Sequence, residues 1–432
     1  MKFYSTKNNS KLVDLKTAVL EGMPKDSGLY MPTEIPLIST KELEDVSKIS
    51  FQELSLFIAF KFFKDDLSKA LIEKLVHESI TFDAPLVNIY DNVYALELFH
   101  GPTLAFKDFA ARFMARLMSS FVKEDKKKLK VIVATSGDTG SAVANSFYSI
   151  DNIEVIILYP SGKISKIQEQ QIATLDKNIK ALEVNGTFDD CQKLVKTALA
   201  DKELNKKIDL SSANSINIAR LLPQTFYYFR AWSQLDKKRR DNLVISVPSG
   251  NFGNLCAGLI AKKMGLPIKK FIASTNINDV IPQYLTTGAY TAKASKQTIS
   301  NAMDVGDPSN FVRIKELYGN IFDDIKKDIV GFSFTDDQTR ANIKDTYKRY
   351  SYILDPHGSV GMLGLKKYIR QNEDISAGIF FETAHPAKFM DIVEKEIGQK
   401  VLIPERLAAF MDKEKRSIKI NNDYKELIEQ LI

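Results

Sequence analysis

The chain has 432 residues, of which 44% are hydrophobic and 26% charged, and its formal net charge is +6. This length exceeds what one compact core usually supports, so we expect two or three domains. The composition is that of a globular protein. The basic runs at residues 123–130 and 237–240 contain no aromatic residues, which argues against a nucleic-acid-binding protein. We interpret both runs as solvated turns.

Targeting and redox features predict a cytoplasmic protein. The first residues lack the apolar segment of a signal peptide, and no apolar run is long enough to predict a membrane span. The two cysteines, Cys191 and Cys256, lie far apart, which favours a reducing compartment over a disulfide framework. The histidines show no spacing typical of a metal site, so we expect no metal. The roles of His100, His357 and His385 stay open.

The predicted elements change character along the chain. Residues 1–90 have a mainly helical pattern, and the amphipathic segment 51–63 is interpreted as a core helix. From residue 93 onward, short apolar runs alternate with helical segments, which is typical of parallel strands covered by helices on both faces. Because the predicted strands form two groups, we expect an α/β fold with two open parallel-type sheets flanked by helices. The strands are predicted at 131–135, 155–160, 181–184, 243–248, 271–274 and 377–381.

One lysine follows a turn and opens an amphipathic helix. The turn is His100-Gly101-Pro102-Thr103, and apolar residues then recur at helical spacing from Phe106 to Met118. A lysine in a helix is most often a solvated surface residue, and the positive end of the helix dipole is unfavourable for the Lys107 cation. Asp108 and Arg112 are spaced for an ion pair between residues four apart.

Two glycine loops, residues 136–140 and 249–254, each follow a predicted strand and open a helix. Such loops present backbone N–H groups to an anion, although a plain tight turn is the alternative for each. Neither loop contains the dinucleotide or P-loop fingerprint, so a single phosphate or carboxylate is favoured. Asp138 would repel an anion unless its carboxylate is turned away or forms a local cap, whereas Asn251 and Asn254 add donors. We therefore predict a permanent phosphate at the second loop.

Two further polar segments are candidates for ligand binding. Asn214, Ser215 and Arg220 offer donors ahead of an apolar helix, and helix capping is the competing explanation for the first two. Capping does not explain Arg220, which can bind a phosphate through two parallel hydrogen bonds. Residues 383–388 directly follow a predicted strand, so they are expected at the carboxyl edge of a sheet, where open α/β folds bind ligands.

Taken together, these motifs resemble the threonine synthase family. The resemblance begins at the lysine motif, residues 100–108, and covers almost the whole chain in the same order: 21–32, 136–140, 186–191, 214–220, 248–254, 355–357 and 383–388. It implies a fold type II pyridoxal-phosphate (PLP) fold, similar to the β subunit of tryptophan synthase. The implied division is a mainly helical N-terminal domain at 1–90, a large cofactor-binding domain at 91–125 and 240–432, and a small domain at 126–239.

The resemblance also implies residue roles and an activity. Lys107 would be the catalytic residue and hold PLP as a Schiff base, and Thr383 would face the pyridine nitrogen. The cofactor phosphate would lie on Gly250, Asn251, Phe252, Gly253 and Asn254. The amino-acid end of the substrate would lie on Ser136, Asp138 and Thr139, and its phosphate on Asn214, Ser215 and Arg220. The implied reaction converts O-phospho-L-homoserine and water to L-threonine and phosphate, by γ-elimination and β-addition of water.

Alternative functions remain open from the sequence. A serine or threonine dehydratase, or a cysteine synthase, would share the lysine and glycine loop but would not need Arg220 as a phosphate clamp. The presence of Lys107, Thr383 and the second glycine loop argues against a non-catalytic PLP-binding relative. A nucleotide-dependent dehydrogenase is disfavoured, because the dinucleotide-binding fingerprint is missing. The expected partner is a small-molecule substrate, without nucleic acid or membrane, and either a monomer or a homodimer fits the sequence.

Overall fold

Three β-sheets organise the fold, seen in a computed structural model that describes residues 1–125 and 128–432. The strands are β1 (Phe3–Ser5), β2 (Asn8–Val13), β3 (Tyr30–Pro32), β4 (Leu86–Tyr90), β5 (Val93–Glu97), β6 (Leu129–Ala134), β7 (Ile153–Pro160), β8 (Ile179–Asn185), β9 (Leu210–Ser212), β10 (Leu243–Pro248), β11 (Lys270–Thr275), β12 (Ile329–Ser333), β13 (Ala377–Glu382) and β14 (Ile418–Asn421).

Helices cover these sheets. They are α1 (Leu15–Glu21), α2 (Thr40–Val46), α3 (Phe51–Phe63), α4 (Lys69–Ser79), α5 (Lys107–Asp125), α6 (Asp138–Phe147), α7 (Lys166–Ala173), α8 (Phe188–Ala200), α9 (Leu204–Lys207), α10 (Ile218–Leu221), α11 (Thr225–Ser233), α12 (Lys237–Arg240), α13 (Gly253–Lys263), α14 (Val280–Thr287), α15 (Phe311–Leu317), α16 (Phe322–Asp328), α17 (Asp336–Tyr350), α18 (Pro356–Gln371), α19 (Met390–Ile397), α20 (Glu405–Met411) and α21 (Tyr424–Leu431). Short 3-10 turns lie at Leu222–Gln224, Asn301–Met303 and Pro386–Phe389.

The two main sheets are parallel, as the sequence predicts. The larger has the order β12-β11-β10-β13-β5-β4, and only the β4–β5 pair is antiparallel. The smaller has the order β14-β8-β7-β6-β9, and every neighbouring pair is parallel. The central strands β10 and β13 are buried at every residue, which is why their sequences are continuously apolar. All six predicted strands are present, with ends that differ by at most a few residues.

The N-terminal region contains a small sheet that the helical pattern does not predict. Strands β1, β2 and β3 form an antiparallel sheet ahead of helices α2 to α4. Strand β2 is almost entirely exposed, so its polar sequence shows no alternation of buried and exposed residues. The predicted core helix is α3, which packs against α4 and α11. Across residues 1–125 and 128–432, no helix is long and apolar enough to cross a membrane.

The C-terminal segment joins the smaller sheet, whereas the predicted division assigns residues 240–432 to the larger domain. Strand β14 pairs with β8, and Ile420 packs in the same apolar cluster as the smaller sheet. The domain borders themselves stay a prediction. The basic run at 237–240, interpreted as a turn, is the short exposed helix α12. In the other basic run, residues 126 and 127 lie outside the described residues.

Candidate active site

The carboxyl ends of β6, β10 and β13 open onto one cleft, as expected for parallel strands in an open α/β fold. All of the predicted site residues except Asp138 line this cleft. They are Lys107, Ser136, Thr139, Asn214, Ser215, Arg220, Gly250, Asn251, Phe252, Gly253, Asn254 and Thr383. The fold therefore brings together side chains that are separated by up to several hundred residues in the sequence.

Backbone hydrogen bonds place Lys107 beside Thr383. The Phe106 N–H donates to the Thr383 carbonyl at 2.9 Å, and the His385 N–H donates to the Leu104 carbonyl at 3.0 Å. The segment before the lysine thus runs antiparallel to the segment after β13. Leu104 has a φ of 58°, an unusual left-handed conformation for a residue with a bulky side chain. This turn directs the chain from the sheet edge into helix α5.

The Lys107 amine lies in an environment that favours its neutral form. Burial lowers the pKa of Lys107 to about 8, and the cations of Arg220 and Lys388 act in the same direction. The carboxylates of Asp138 and Asp355 oppose this effect by raising the pKa. A lysine with a pKa near neutrality can serve as a base or a nucleophile, so Lys107 is not the solvated lysine that helix statistics favour.

Asp108 stabilises the turn before the lysine. Its carboxylate accepts hydrogen bonds from the Thr103 backbone N–H at 2.8 Å and from the Thr103 hydroxyl at 2.6 Å. The predicted ion pair with Arg112 is wrong, because Arg112 instead donates to the carbonyl groups of Glu78 and Ser79. The Asp108 carboxylate therefore accepts hydrogen bonds within the turn and is not an ion-pair partner of Arg112.

The second glycine loop has the geometry of an anion site. The backbone N–H groups of residues 250–254 donate to no acceptor within the described part of the chain. A Cβ on Gly250 would lie 2.6 Å from the Ala302 carbonyl oxygen, so only glycine fits there. Phe252 adopts a left-handed conformation and precedes helix α13, whose positive end faces the loop. These features fit a bound phosphate.

The amide side chains of this loop serve a different purpose from the one the sequence suggests. The sequence predicts that Asn251 and Asn254 add donors for the anion. Asn251 instead donates to the Ser215 hydroxyl at 2.7 Å, and Asn254 donates to the Pro248 carbonyl at 2.8 Å. Their side chains hold the loop in shape, and the backbone provides the free donors.

The first glycine loop differs because two of its backbone donors are already used. The Thr135 hydroxyl accepts hydrogen bonds from the N–H groups of Gly137 and Gly140, at 2.9 and 2.8 Å. Asp138 is buried and forms an ion pair with Lys388 at 2.7 Å, so its carboxylate pairs with a distant lysine instead of forming a local cap, and it lies outside the cleft lining. This pairing holds the pKa of Asp138 below its usual range, although burial opposes it. Ser136 and Thr139 remain on the cleft.

Arg220 is a buried cation with unused donors. Its guanidinium donates to the Ala213 carbonyl at 2.7 Å, and its buried Nε has no hydrogen-bond partner among the described residues. Burial lowers the pKa of Arg220 to about 10. Asn214 is bound to the backbone of Ala134 on both its amide atoms, and so it has less capacity for a ligand than we expected. The Ser215 hydroxyl accepts from Asn251, which joins this segment to the second glycine loop.

These residues fit PLP at the cleft. The cofactor phosphate matches the free N–H groups of residues 250–254, and the amine of Lys107 and the hydroxyl of Thr383 lie on the same cleft. The unpartnered Nε of Arg220 offers a donor for a second anion. Among residues 1–125 and 128–432, no group of three or more His, Cys, Asp or Glu side chains is arranged to hold a metal ion.

Several cleft residues were missed by sequence reasoning. Gln192 and Lys196 from helix α8 line the cleft. His357, whose role the sequence leaves open, also lines it at the start of α18. The His357 ring bonds to Asp355 at 2.6 Å, and its Nε2 accepts from the Ala302 N–H at 3.2 Å. The pattern Asp355-Pro356-His357 is part of the family resemblance, whereas Gln192 and Lys196 carry no sequence signal beyond helical periodicity.

Comparisons with known proteins also indicate a pyridoxal-phosphate-dependent enzyme. A family model described as a pyridoxal-phosphate dependent enzyme matches residues 84–379. Two more, described as the N terminus and the C-terminal part of threonine synthase, match residues 2–80 and 359–432. Threonine synthase from Buchnera aphidicola subsp. Acyrthosiphon pisum is 46% identical over 99% of this chain and 98% of its own length.

Solved structures give the same result. The crystal structure of threonine synthase from Escherichia coli matches with a TM-score of 0.95 at 42% identity, covering 100% of this chain and 99% of that one. A PLP-bound threonine synthase from Brucella melitensis matches with a TM-score of 0.90 at 34% identity, covering 100% and 98% of the two chains. The comparisons confirm the predicted fold class and do not favour the dehydratase or the non-catalytic alternative. The chain belongs to the threonine synthase family of pyridoxal-phosphate-dependent enzymes.

Proposed function

We propose that this enzyme converts O-phospho-L-homoserine and water to L-threonine and inorganic phosphate. One observation carries the choice of substrate: the cleft contains two separate sets of anion-binding donors. The N–H groups of residues 250–254 form one set, and the buried guanidinium of Arg220 forms the other. A cofactor with one phosphate needs one set. The second set is explained by a substrate that carries a phosphate of its own.

The proposed reaction requires proton transfers at three carbons of the substrate. The substrate loses protons from Cα and Cβ, and phosphate leaves from Cγ. Protons are then added at Cγ and Cα, and water supplies the hydroxyl group at Cβ. PLP, when bound, supplies an electron sink that stabilises negative charge next to the substrate nitrogen.

Lys107 is the proposed base for the proton at Cα. An amine can accept a proton only when it is neutral, and the pKa of about 8 makes a useful fraction neutral near pH 7 to 8. The surrounding fold supports this role, because the backbone hydrogen bond from Phe106 to Thr383 fixes the residue before the lysine beside the cleft.

The remaining roles follow from the donors on the cleft. We propose that Ser136 and Thr139 bind the carboxylate of the substrate, whereas Asp138 acts indirectly through its ion pair. Arg220 binds the substrate phosphate, and Ser215 assists it from the same segment. Homoserine without its phosphate would leave the Arg220 donors unpaired in a buried site, and such sites can discriminate by about 10⁴-fold.

We also propose that the enzyme acts in the cytoplasm. Both cysteines are free thiols, and buried free thiols are common in reducing compartments. A monomer and a homodimer both fit the proposal, since each residue invoked above belongs to a single chain.

The test is a coupled assay on the PLP-loaded enzyme. We expect phosphate release from O-phosphohomoserine with an equal amount of threonine formed, and a much lower kcat/KM with serine, threonine or O-acetylserine. Phosphate release without threonine, or equal turnover of an unphosphorylated substrate, would contradict the proposal.

A further inference from the structure

A buried lysine lies behind the cleft and has no role in the proposed reaction. Lys388 belongs to the 3-10 turn Pro386–Phe389, shortly after β13, and its side chain has no exposed surface. Its ammonium donates to the Asp138 carboxylate at 2.7 Å and to the Thr103 carbonyl at 3.0 Å. A buried ammonium requires such partners, because burying an unpaired charge is costly.

This ion pair connects three segments that shape the cleft. Asp138 lies in the first glycine loop, Thr103 lies in the turn before Lys107, and Lys388 follows the segment that contains Thr383. Gln168 from α7 adds a hydrogen bond to the Asp138 carboxylate at 2.9 Å. Its side chain occupies the space that a Cβ on residue 137 would need. The Asp138 carboxylate is therefore held between two donors and away from the cleft surface.

Asp138 and Lys388 also belong to the set of charges around the Lys107 amine. Asp138 from α6 and Asp355 before α18 stabilise a positive charge on Lys107, whereas Arg220 from α10 and Lys388 oppose it. His357 from α18 and Lys196 from α8 are further titratable groups that line the cleft. Buried ion pairs contribute little to stability compared with apolar packing, so an ion pair at this position invites a functional explanation.

We propose that Lys388 is a positioning residue that holds the Asp138 carboxylate out of the cleft and balances its charge beside Lys107. The proposal rests on the proposed function only for the role of Lys107. Without the Lys388 ammonium, the Asp138 carboxylate would attract a proton to the Lys107 amine. It would also repel the carboxylate and phosphate of the substrate.

The experiment measures the pKa of the Lys107 amine in the full-length chain freed of cofactor. Trace labelling with acetic anhydride across a pH series, read by mass spectrometry at Lys107, reports the neutral fraction of the amine without any turnover. We expect Lys388→Met to raise the midpoint by about one pH unit, which lowers the labelling rate at pH 7 about tenfold. We expect Asp138→Asn to lower the midpoint, and the double variant to return it close to the wild-type value.

Two further variants separate this role from a general effect on the fold. Lys388→Arg keeps the cation and should leave the midpoint near that of the wild type. Lys262→Met removes an ion pair of the same 2.7 Å length, with Asp328, far from the cleft, and should also leave it unchanged.

The signs of the shifts decide the outcome. A purely structural ion pair would lower the melting temperature of both single variants without moving the Lys107 midpoint in opposite directions. If Lys388→Met does not fold, Asp138→Asn alone is decisive, since an unchanged or raised midpoint in that variant overturns the proposal. If the wild type does not turn over O-phosphohomoserine, the proposed function is refuted, but the measured pKa of Lys107 is unaffected.

Discussion

Replacing Arg220 with methionine should make the protein more stable and less active. Burial lowers the pKa of Arg220 from 12.5 to about 10, which corresponds to a cost of about 3 kcal/mol for keeping the cation in the folded state. The sign is clear, because the folded pKa lies below the unfolded one. The cost is therefore present in full at pH 7 and decreases only as the pH rises through about 10.

A smaller effect opposes this gain. The variant loses the hydrogen bond from Arg220 to the Ala213 carbonyl, which costs about 1–2 kcal/mol when the acceptor stays buried. We therefore expect a net increase of about 1–2 kcal/mol in the free energy of unfolding. Denaturant unfolding of both PLP-saturated proteins measures it.

The same variant should lose its response to phosphate. With PLP occupying the site at residues 250–254, added inorganic phosphate should raise the melting temperature of the wild type and leave Arg220→Met unchanged. Two charge-assisted hydrogen bonds contribute about 3–5 kcal/mol, so kcat/KM for O-phosphohomoserine should fall by about 10²–10⁴-fold.

Arg313 provides a matched control. It is fully buried, and burial lowers its pKa to about 10 as well, but it donates to the carbonyl groups of Tyr30, Ser215 and Ile216 and to the Asn310 side chain. Arg313→Met should therefore be destabilised by several kcal/mol, since it leaves these acceptors unpaired. A loss of stability in Arg220→Met, or an equal response of that variant to phosphate, would refute the reasoning.

Three further predictions concern the lysine and the second glycine loop. Lys107→Ala should lose both turnover and the visible absorbance of the cofactor–lysine linkage; survival of either contradicts the assignment. Gly250→Ala should bind PLP at least tenfold more weakly in a cofactor titration, because its Cβ would lie 2.6 Å from the Ala302 carbonyl oxygen and 2.8 Å from the Met303 Cα. Without cofactor, the wild type should gain about 1–3 kcal/mol of stability over Lys107→Met between pH 8 and 10.5, because the protonated amine is the form that burial destabilises.

The sequence was most informative where burial controls the residue types. Strands β10 and β13 are buried throughout, so their apolar runs identify them without further information. Strand β14 is exposed at most of its residues and lies more than 200 residues from its partner β8. Neither its pattern nor its position could assign it to the smaller sheet.

Side-chain partners were the least predictable part of the site. Asp138 was identified as an obstacle to anion binding, and local capping was one expected solution. The partner is Lys388, which lies 250 positions away in the sequence. Its segment was predicted at the ligand-binding edge of the sheet, but nothing in the sequence pairs it with Asp138. Arg220 was easier to identify, because an arginine beside a row of small polar residues has no capping role.

The contrast between the two glycine loops depends on the residue that precedes each of them. Both loops have the pattern Ser-Gly-x-x-Gly after a parallel strand. Thr135 precedes the first loop, and its hydroxyl accepts the N–H groups of Gly137 and Gly140, so those donors are unavailable to a ligand. Pro248 precedes the second loop and has no side-chain acceptor, so the N–H groups there stay free. This difference was present in the sequence. It distinguishes the phosphate loop on grounds of hydrogen bonding, in addition to the charge of Asp138, and it leads to the same choice of loop.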